Sequence, residues 1–276
     1  MRLLLFQQDN VTRVETMKKA AYSHLAAAVF AVFALPVSAD TRVPDQQAQY
    51  ELAQAYETGS GVEQNHERAA KLYLKAARKG HAGAQAHLGT MYHEGRGVKE
   101  NAKTAVSWYR KAASQGNGHA QNNLGRMYFY GYGVAQDYKQ AFEWFKQAAE
   151  SGDDTAQKNL AYMYAHGTGV EQDMKQAAHW YEQAAKQGLA EAQAEIGFLY
   201  DEGRGVEADA QKAALWYTQA ADRGSAVAQY NLGHMYLEGR GVVKNVEKAH
   251  ALFQQSCSGG DEDACKLVSQ AAQGGS

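Results

Sequence analysis

Proline, cysteine and charge of one sign are all scarce in this 276-residue chain, and each scarcity removes a class of function. Two prolines and no alternation of β-branched residues argue against a sheet. The two cysteines have no cluster of ligand residues around them, which leaves no zinc site. Lysine and arginine number 28 against 30 aspartate and glutamate, so no basic footprint for nucleic acid or an anionic membrane is present. Catalytic signatures are missing as well. No Gly-x-Gly reaches a third glycine in G-x-G-x-x-G, no G-K-[ST] follows, and no H-E-x-x-H pair occurs. The ten histidines fall at different places, and His87 and His93, six apart, do not share a helix face. Neither a metal nor a cofactor is expected.

Glycine is what the chain has in quantity, and it is periodic. The pair Gly59/Gly61 recurs at Gly95/Gly97, Gly131/Gly133, Gly167/Gly169, Gly203/Gly205 and Gly239/Gly241, always 36 residues on. An unbroken period of this length means a stacked array of one small unit rather than a single core around a catalytic centre. Within a unit, Ala84, Leu88, Met91 and Tyr92 form the apolar stripe of one helix. A Gly-x-Gly-Val turn follows, its first glycine suited to a left-handed helix end. Asn65, Asn101, Asp137, Asp173, Asp209 and Asn245 then stand where a second helix needs an N-cap. That helix carries a small-plus-aromatic stripe, as in Ala105, Trp108, Tyr109 and Ala112, and ends at a glycine such as Gly116. Asn117, Asp153, Ser225 and Asp261 are good caps for the next helix, whereas His81 and Leu189 are not. Small residues at Ala53, Gly89, Gly125, Ala161, Gly197 and Gly233 suggest close backbone approach between paired helices.

The pattern A-x-x-L-G-x-M-Y-x-x-G-x-G-V, followed by D-x-x-K-A-x-x-W-Y-x-x-A-A-x-x-G, resembles the Sel1-like repeat family, a relative of the tetratricopeptide repeats. The resemblance runs over residues 45–260 and implies an all-α, right-handed solenoid of six helix–turn–helix units: 45–80, 81–116, 117–152, 153–188, 189–224 and 225–260. Residues 261–276 are expected to cap the C-terminal end, since Ser269 and Ala272 replace the usual glycine and tyrosine. The family implies an adaptor or scaffold, in many cases of the bacterial envelope. Some of its cysteine-rich relatives are linked to penicillin binding or β-lactam hydrolysis, so an envelope enzyme or cell-wall ligand-binding protein is the alternative. Against it, no serine is followed three residues later by lysine, and Lys103–Thr104 leads into Ala105 instead of completing K-T-G. Turnover of nitrocefin or a labelled-penicillin gel discriminates the two readings.

Lys18 and Lys19, the apolar run 20–35 and the sequence Pro36–Val37–Ser38–Ala39 read as a secretory signal (residues 17–39) cleaved near Ala39. Residues 1–16 fit no part of such a signal, so Met17 is the expected start, and 40–44 are a short leader. Without Arg2, Arg13, Lys18, Lys19, Asp9 and Glu15, the mature chain keeps 24 basic and 28 acidic residues, a net −4. It is expected to be periplasmic or secreted, without an integral membrane segment. Cys257 and Cys265 replace an alanine and a glutamine of earlier copies and face each other across the Gly259–Gly260 turn. In an oxidising compartment they are expected to form a disulfide, two buried thiols being the alternative.

Positions equivalent to Ala86, Thr90 and His93 point away from the stripe of each first helix and vary between copies. They hold Tyr50, Asn122, Lys158 and Tyr230; Arg126, Tyr162, Phe198 and His234; and Phe129, Asp201 and Leu237. In tetratricopeptide-like stacking they line a concave groove, in which Tyr50, Phe129, Tyr162, Phe198, Tyr230 and Leu237 form an apolar track for a segment of a partner protein, coverage of these side chains by neighbouring repeats as satellite core being the alternative. Arg126 and Lys158 are expected to meet acidic groups on that segment, and Asp201 basic ones. Tyr130 and Tyr132 are weaker candidates. A monomer is expected, with self-association through apolar ends as the alternative.

Overall fold

Each 36-residue copy builds one antiparallel helix pair, and the pairs pack in series. The computed structural model describes residues 46–274, with side chains through residue 271. The expected start site, signal peptide, cleavage point and leader lie outside these residues. The first pair is α1 (Gln46–Thr58) and α2 (His66–Arg78), followed by α3 (Ala82–Glu94) with α4 (Ala102–Ala113) and α5 (Gly118–Tyr130) with α6 (Tyr138–Glu150). Next come α7 (Asp154–His166) with α8 (Met174–Lys186), α9 (Ala190–Glu202) with α10 (Ala210–Asp222), and α11 (Ala226–Glu238) with α12 (Val246–Ser258). The last helix among the described residues, α13 (Glu262–Gly274), packs on α12. No strand occurs among the described residues, so the architecture is an all-α solenoid.

The turn glycines set the spacing of the array. Gly95 ends α3 in the left-handed region at φ 70°, its N–H reaching the Met91 carbonyl. The second glycine of the turn has a different task. A Cβ on Gly205 would lie 2.0 Å from the Met174 carbonyl oxygen, at the start of the preceding repeat's second helix. At Gly61, in the first described repeat, the same φ of 75° is adopted with nothing within 4 Å. All six Asn/Asp residues after the turn cap the second helix; Asn101 Oδ1, for example, accepts from the Thr104 N–H at 2.9 Å. His81 is a cap after all, because its Nδ1 accepts from the Ala84 N–H at 3.0 Å. Leu189 makes no side-chain cap bond.

Small residues in the first helices make room for rings, not for a neighbouring backbone. A Cβ on Gly125 would stand 2.7 Å from the Phe145 ring, and one on Gly89 the same distance from the Tyr109 ring. Tyr73, Tyr109 and Tyr217 are fully buried in this way, each contributing about 1.5–3 kcal/mol from apolar burial. Their hydroxyls need partners in so dry a place. Tyr73 donates to Glu57 at 2.6 Å and Tyr109 to Thr90 at 3.0 Å.

A buried glutamine joins consecutive units. Gln85, Gln121, Gln157, Gln193 and Gln229 each donate from Nε2 to a carbonyl eight residues earlier, at 3.0–3.2 Å (Ala77, Ala113, Ala149, Ala185 and Ala221). At the next copy the two partners are Cys257 and Cys265, again eight apart, and they form a disulfide with Cα atoms 4.6 Å apart. A covalent bond therefore occupies the place of a hydrogen bond that every earlier junction makes. It ties α13 to α12, the helix on which α13 packs.

Candidate partner-binding face

The three variable positions of each first helix lie in different environments. At the first position, Asn122 is buried and its Oδ1 accepts from Asn159 of the next repeat at 3.0 Å. Ala86 and Ala194 are buried too, each within the core cluster shared with the following repeat. The following helix pair covers this position unless a long side chain escapes it, which removes Asn122 from the face. Lys158 does escape, but it is ion-paired to Glu191 of the next repeat. Tyr50 lies half-buried against His81, ring centroids 4.4 Å apart, and Tyr230 lies against His234 at 4.6 Å.

The second and third positions carry the exposed groups. Arg126 is exposed and has no ion pair among the described residues. Tyr162 is 43% exposed and Phe198 38%, the latter with Arg204 above its ring at 5.8 Å. His234 is half-buried against Phe253, 5.0 Å away. Leu237 is exposed, and Asp201 is ion-paired to Arg240. Lys158 and Asp201, expected to meet charges on a partner, are thus already matched within the chain. Their partners lie one repeat onward, at separations that a single unit does not display.

Glu57 and Asp201 share one rule. Both third-position acids reach the middle residue of the next Gly-x-Gly, Arg96 (3.4 Å) and Arg240 respectively. Where Ala165 stands instead, Arg204 turns to Phe198. A hydrogen bond with His87, another from Tyr73, and the nearby charges of His87 and Arg96 hold the Glu57 carboxyl at about 2 against the pull of burial. Its stabilising effect is complete above the ordinary value of 4.5 and is lost as pH falls through about 2. Glu57→Gln is therefore expected to lower stability at pH 6, on the order of 1 kcal/mol. Acid melts should show wild type and variant converging between about pH 4.5 and 2; a constant gap over that range would contradict the assignment.

Phe129 gathers the aromatic side chains of the central repeats. Its ring centroid lies 5.0 Å from Tyr130, 5.2 Å from Tyr138 and 6.2 Å from Tyr162, while Tyr130 stacks on Tyr132 at 5.5 Å. Beside them opens a cavity of about 520 Å³ lined by Arg126, Phe129, Tyr130, Phe145, Lys158, Asn159, Tyr162, Tyr181, Glu191 and Glu195. Phe145 and Tyr181 are buried core rings of α6 and α8 that reach through to this face. Burial pushes the Tyr181 hydroxyl well above its ordinary value, and desolvation pushes the Glu195 carboxyl up. Phe145, Tyr181, Asn159, Glu191 and Glu195 escaped the sequence reading. The two rings belong to the core stripe of the second helix, and Asn159 and Glu195 each sit one residue beyond a variable position.

Neither serine nor cysteine lines the cavity. Among the described residues no group of three or more His, Cys, Asp or Glu could hold a metal ion, and no helix is long and apolar enough to cross a membrane.

The Sel1 repeat family model matches six times, at residues 46–81, 82–117, 118–153, 155–189, 190–225 and 226–261. Among solved structures, the chain is similar to a protective antigen present in uropathogenic Escherichia coli strains. The identity is 37% and the TM-score 0.77, over 82% of this chain and 48% of that one. It therefore spans about half the length of that antigen. It is also similar to a Sel1 repeat protein from Oxalobacter formigenes, at 36% identity and TM-score 0.69, over 77% of this chain and 85% of the other. No curated protein matches the chain.

Proposed function

We propose that this chain, which belongs to the Sel1 repeat family, is a non-catalytic protein-interaction scaffold of the periplasm or the cell exterior, binding a partner segment across its first helices. Sel1 repeats mediate protein interactions, which supports the coarser part of this reading. The finer part rests on one observation: a cavity across repeats three to five that is lined by the exposed Tyr130 and Tyr162, with the exposed Phe198 on the same series of first helices. Bulky apolar side chains held in solvent carry a hydration cost that a partner removes, and interfaces favour Tyr, Phe and Arg. Tyr50, Tyr230 and His234 lie in the first and last repeats, where Tyr50 packs on His81 and His87 of the second repeat and Tyr230 and His234 pack on Phe253 of their own. The binding stretch therefore centres on Arg126, Phe129, Tyr162 and Phe198, with Leu237 beyond them. The disulfide and the similarity to a protective antigen support a location outside the cytoplasm.

In-cell photo-crosslinking tests the reading. Photoreactive residues at Tyr162 and Phe198 are expected to capture one common protein. The same residue at Leu215, exposed on the second helix α10, is expected not to. Identical capture at all three sites would overturn it.

A further inference from the structure

The charges around the central cavity do not cancel evenly. Lys158 and Glu191 neutralise one another. That leaves Arg126 on α5 and Glu195 on α9, neither with an ion pair or side-chain hydrogen bond among the described residues. The two helices are separated by α7. Both side chains line the one cavity, from helices two repeats apart in the series. Between them lie the Phe129 and Tyr162 rings over the floor of Phe145 and Tyr181.

On the footing that this face binds a protein segment, we propose that the cavity takes a segment with an acidic residue at Arg126, a bulky apolar residue on the aromatic floor, and a basic residue at Glu195. Charge complementarity decides among the alternatives. An apolar segment would desolvate both charges without replacing their water, which is costly. A uniformly acidic segment would bring like charge to Glu195, and a uniformly basic one would bring it to Arg126. Only a segment bearing both signs in this order satisfies both ends. The desolvation already felt by Glu195 strengthens its pull on an incoming cation. The repeat axis thereby gives the bound segment a direction, and the reversed charge order is rejected.

Selection from a displayed library of random peptides of about nine residues, on the purified protein, tests this. Enriched peptides are expected to place an acidic and a basic residue on opposite sides of an aromatic or large aliphatic one. Fluorescence anisotropy of the best synthetic peptide should show at least about tenfold weaker binding to Arg126→Glu and to Glu195→Lys. Changing the peptide's acid to lysine should restore binding to Arg126→Glu. Both substitutions are at exposed residues, and Arg126→Ala and Glu195→Gln give the same comparison without charge reversal. Peptides that bind, are lost with Tyr162→Ala, yet ignore both charges would overturn the inference and leave the scaffold reading standing. Absence of any peptide sensitive to Tyr162→Ala would overturn both.

Discussion

Gly205→Ala is expected to cost about 3–5 kcal/mol, while Gly61→Ala, in the same turn position and backbone conformation, costs only about 1 kcal/mol. Both glycines have φ 75°, so left-handed strain is common to the two. The difference is what a methyl group meets. At Gly205 it would stand 2.0 Å from the Met174 carbonyl oxygen and 2.3 Å from its carbon, and neither is the mobile end of a side chain. The turn of repeat five would have to lift from the start of α8. At Gly61 a methyl group enters open space. Stability in an array is close to a sum over units and nearest-neighbour interfaces, so Gly205→Ala should weaken the junction of repeats four and five above all. Urea unfolding followed by circular dichroism is expected to separate into two transitions for this variant. Equal losses for the two variants would show that strain alone governs the position.

The second large effect concerns the C-terminal junction. Opening the disulfide with Cys265→Ser is expected to destabilise the last helix by about 2.5 kcal/mol, the loop-closure contribution for so short a loop. Cys257→Ala with Cys265→Gln is expected to recover about 1 kcal/mol of that loss, because it reinstates the hydrogen bond of the five earlier junctions. Hydrogen exchange of the α13 amides reads the two cases apart. Exchange in the double variant as fast as in Cys265→Ser would mean that this helix cannot use the glutamine clasp. Exchange slower than in Cys265→Ser but faster than in wild type is the expected order.

The period, the capping residues and the disulfide were legible because each depends on residue identity at a fixed offset. Glycine alone accepts the turn, Asn or Asp alone recurs at the cap, and Cys257 and Cys265 stand where a contact exists in every other copy. What side chains meet across a junction was harder to read. Lys158 and Asn122 occupy equivalent positions, yet one reaches solvent and the other is buried against Asn159, because length decides which side chain escapes the next helix pair. The pairings of Lys158 with Glu191 and of Asp201 with Arg240 cross from one repeat to the next and have no trace inside a single unit. The small residue at Gly125 was visible as a request for space. That a ring fills the space, and that the Phe145 ring continues through to floor a cavity, follows only from packing.

The central claim is that the first-helix face is occupied in the living cell. Hydroxyl-radical footprinting of the purified protein and of intact cells tests it at single residues. Tyr130, Tyr132, Tyr162 and Phe198 are exposed in the isolated chain and should be labelled there. In cells they are expected to be protected, while Leu215 and Val243, also exposed, react equally in both. Equal labelling of all six in both settings would mean that nothing covers the face, and the scaffold account would be wrong.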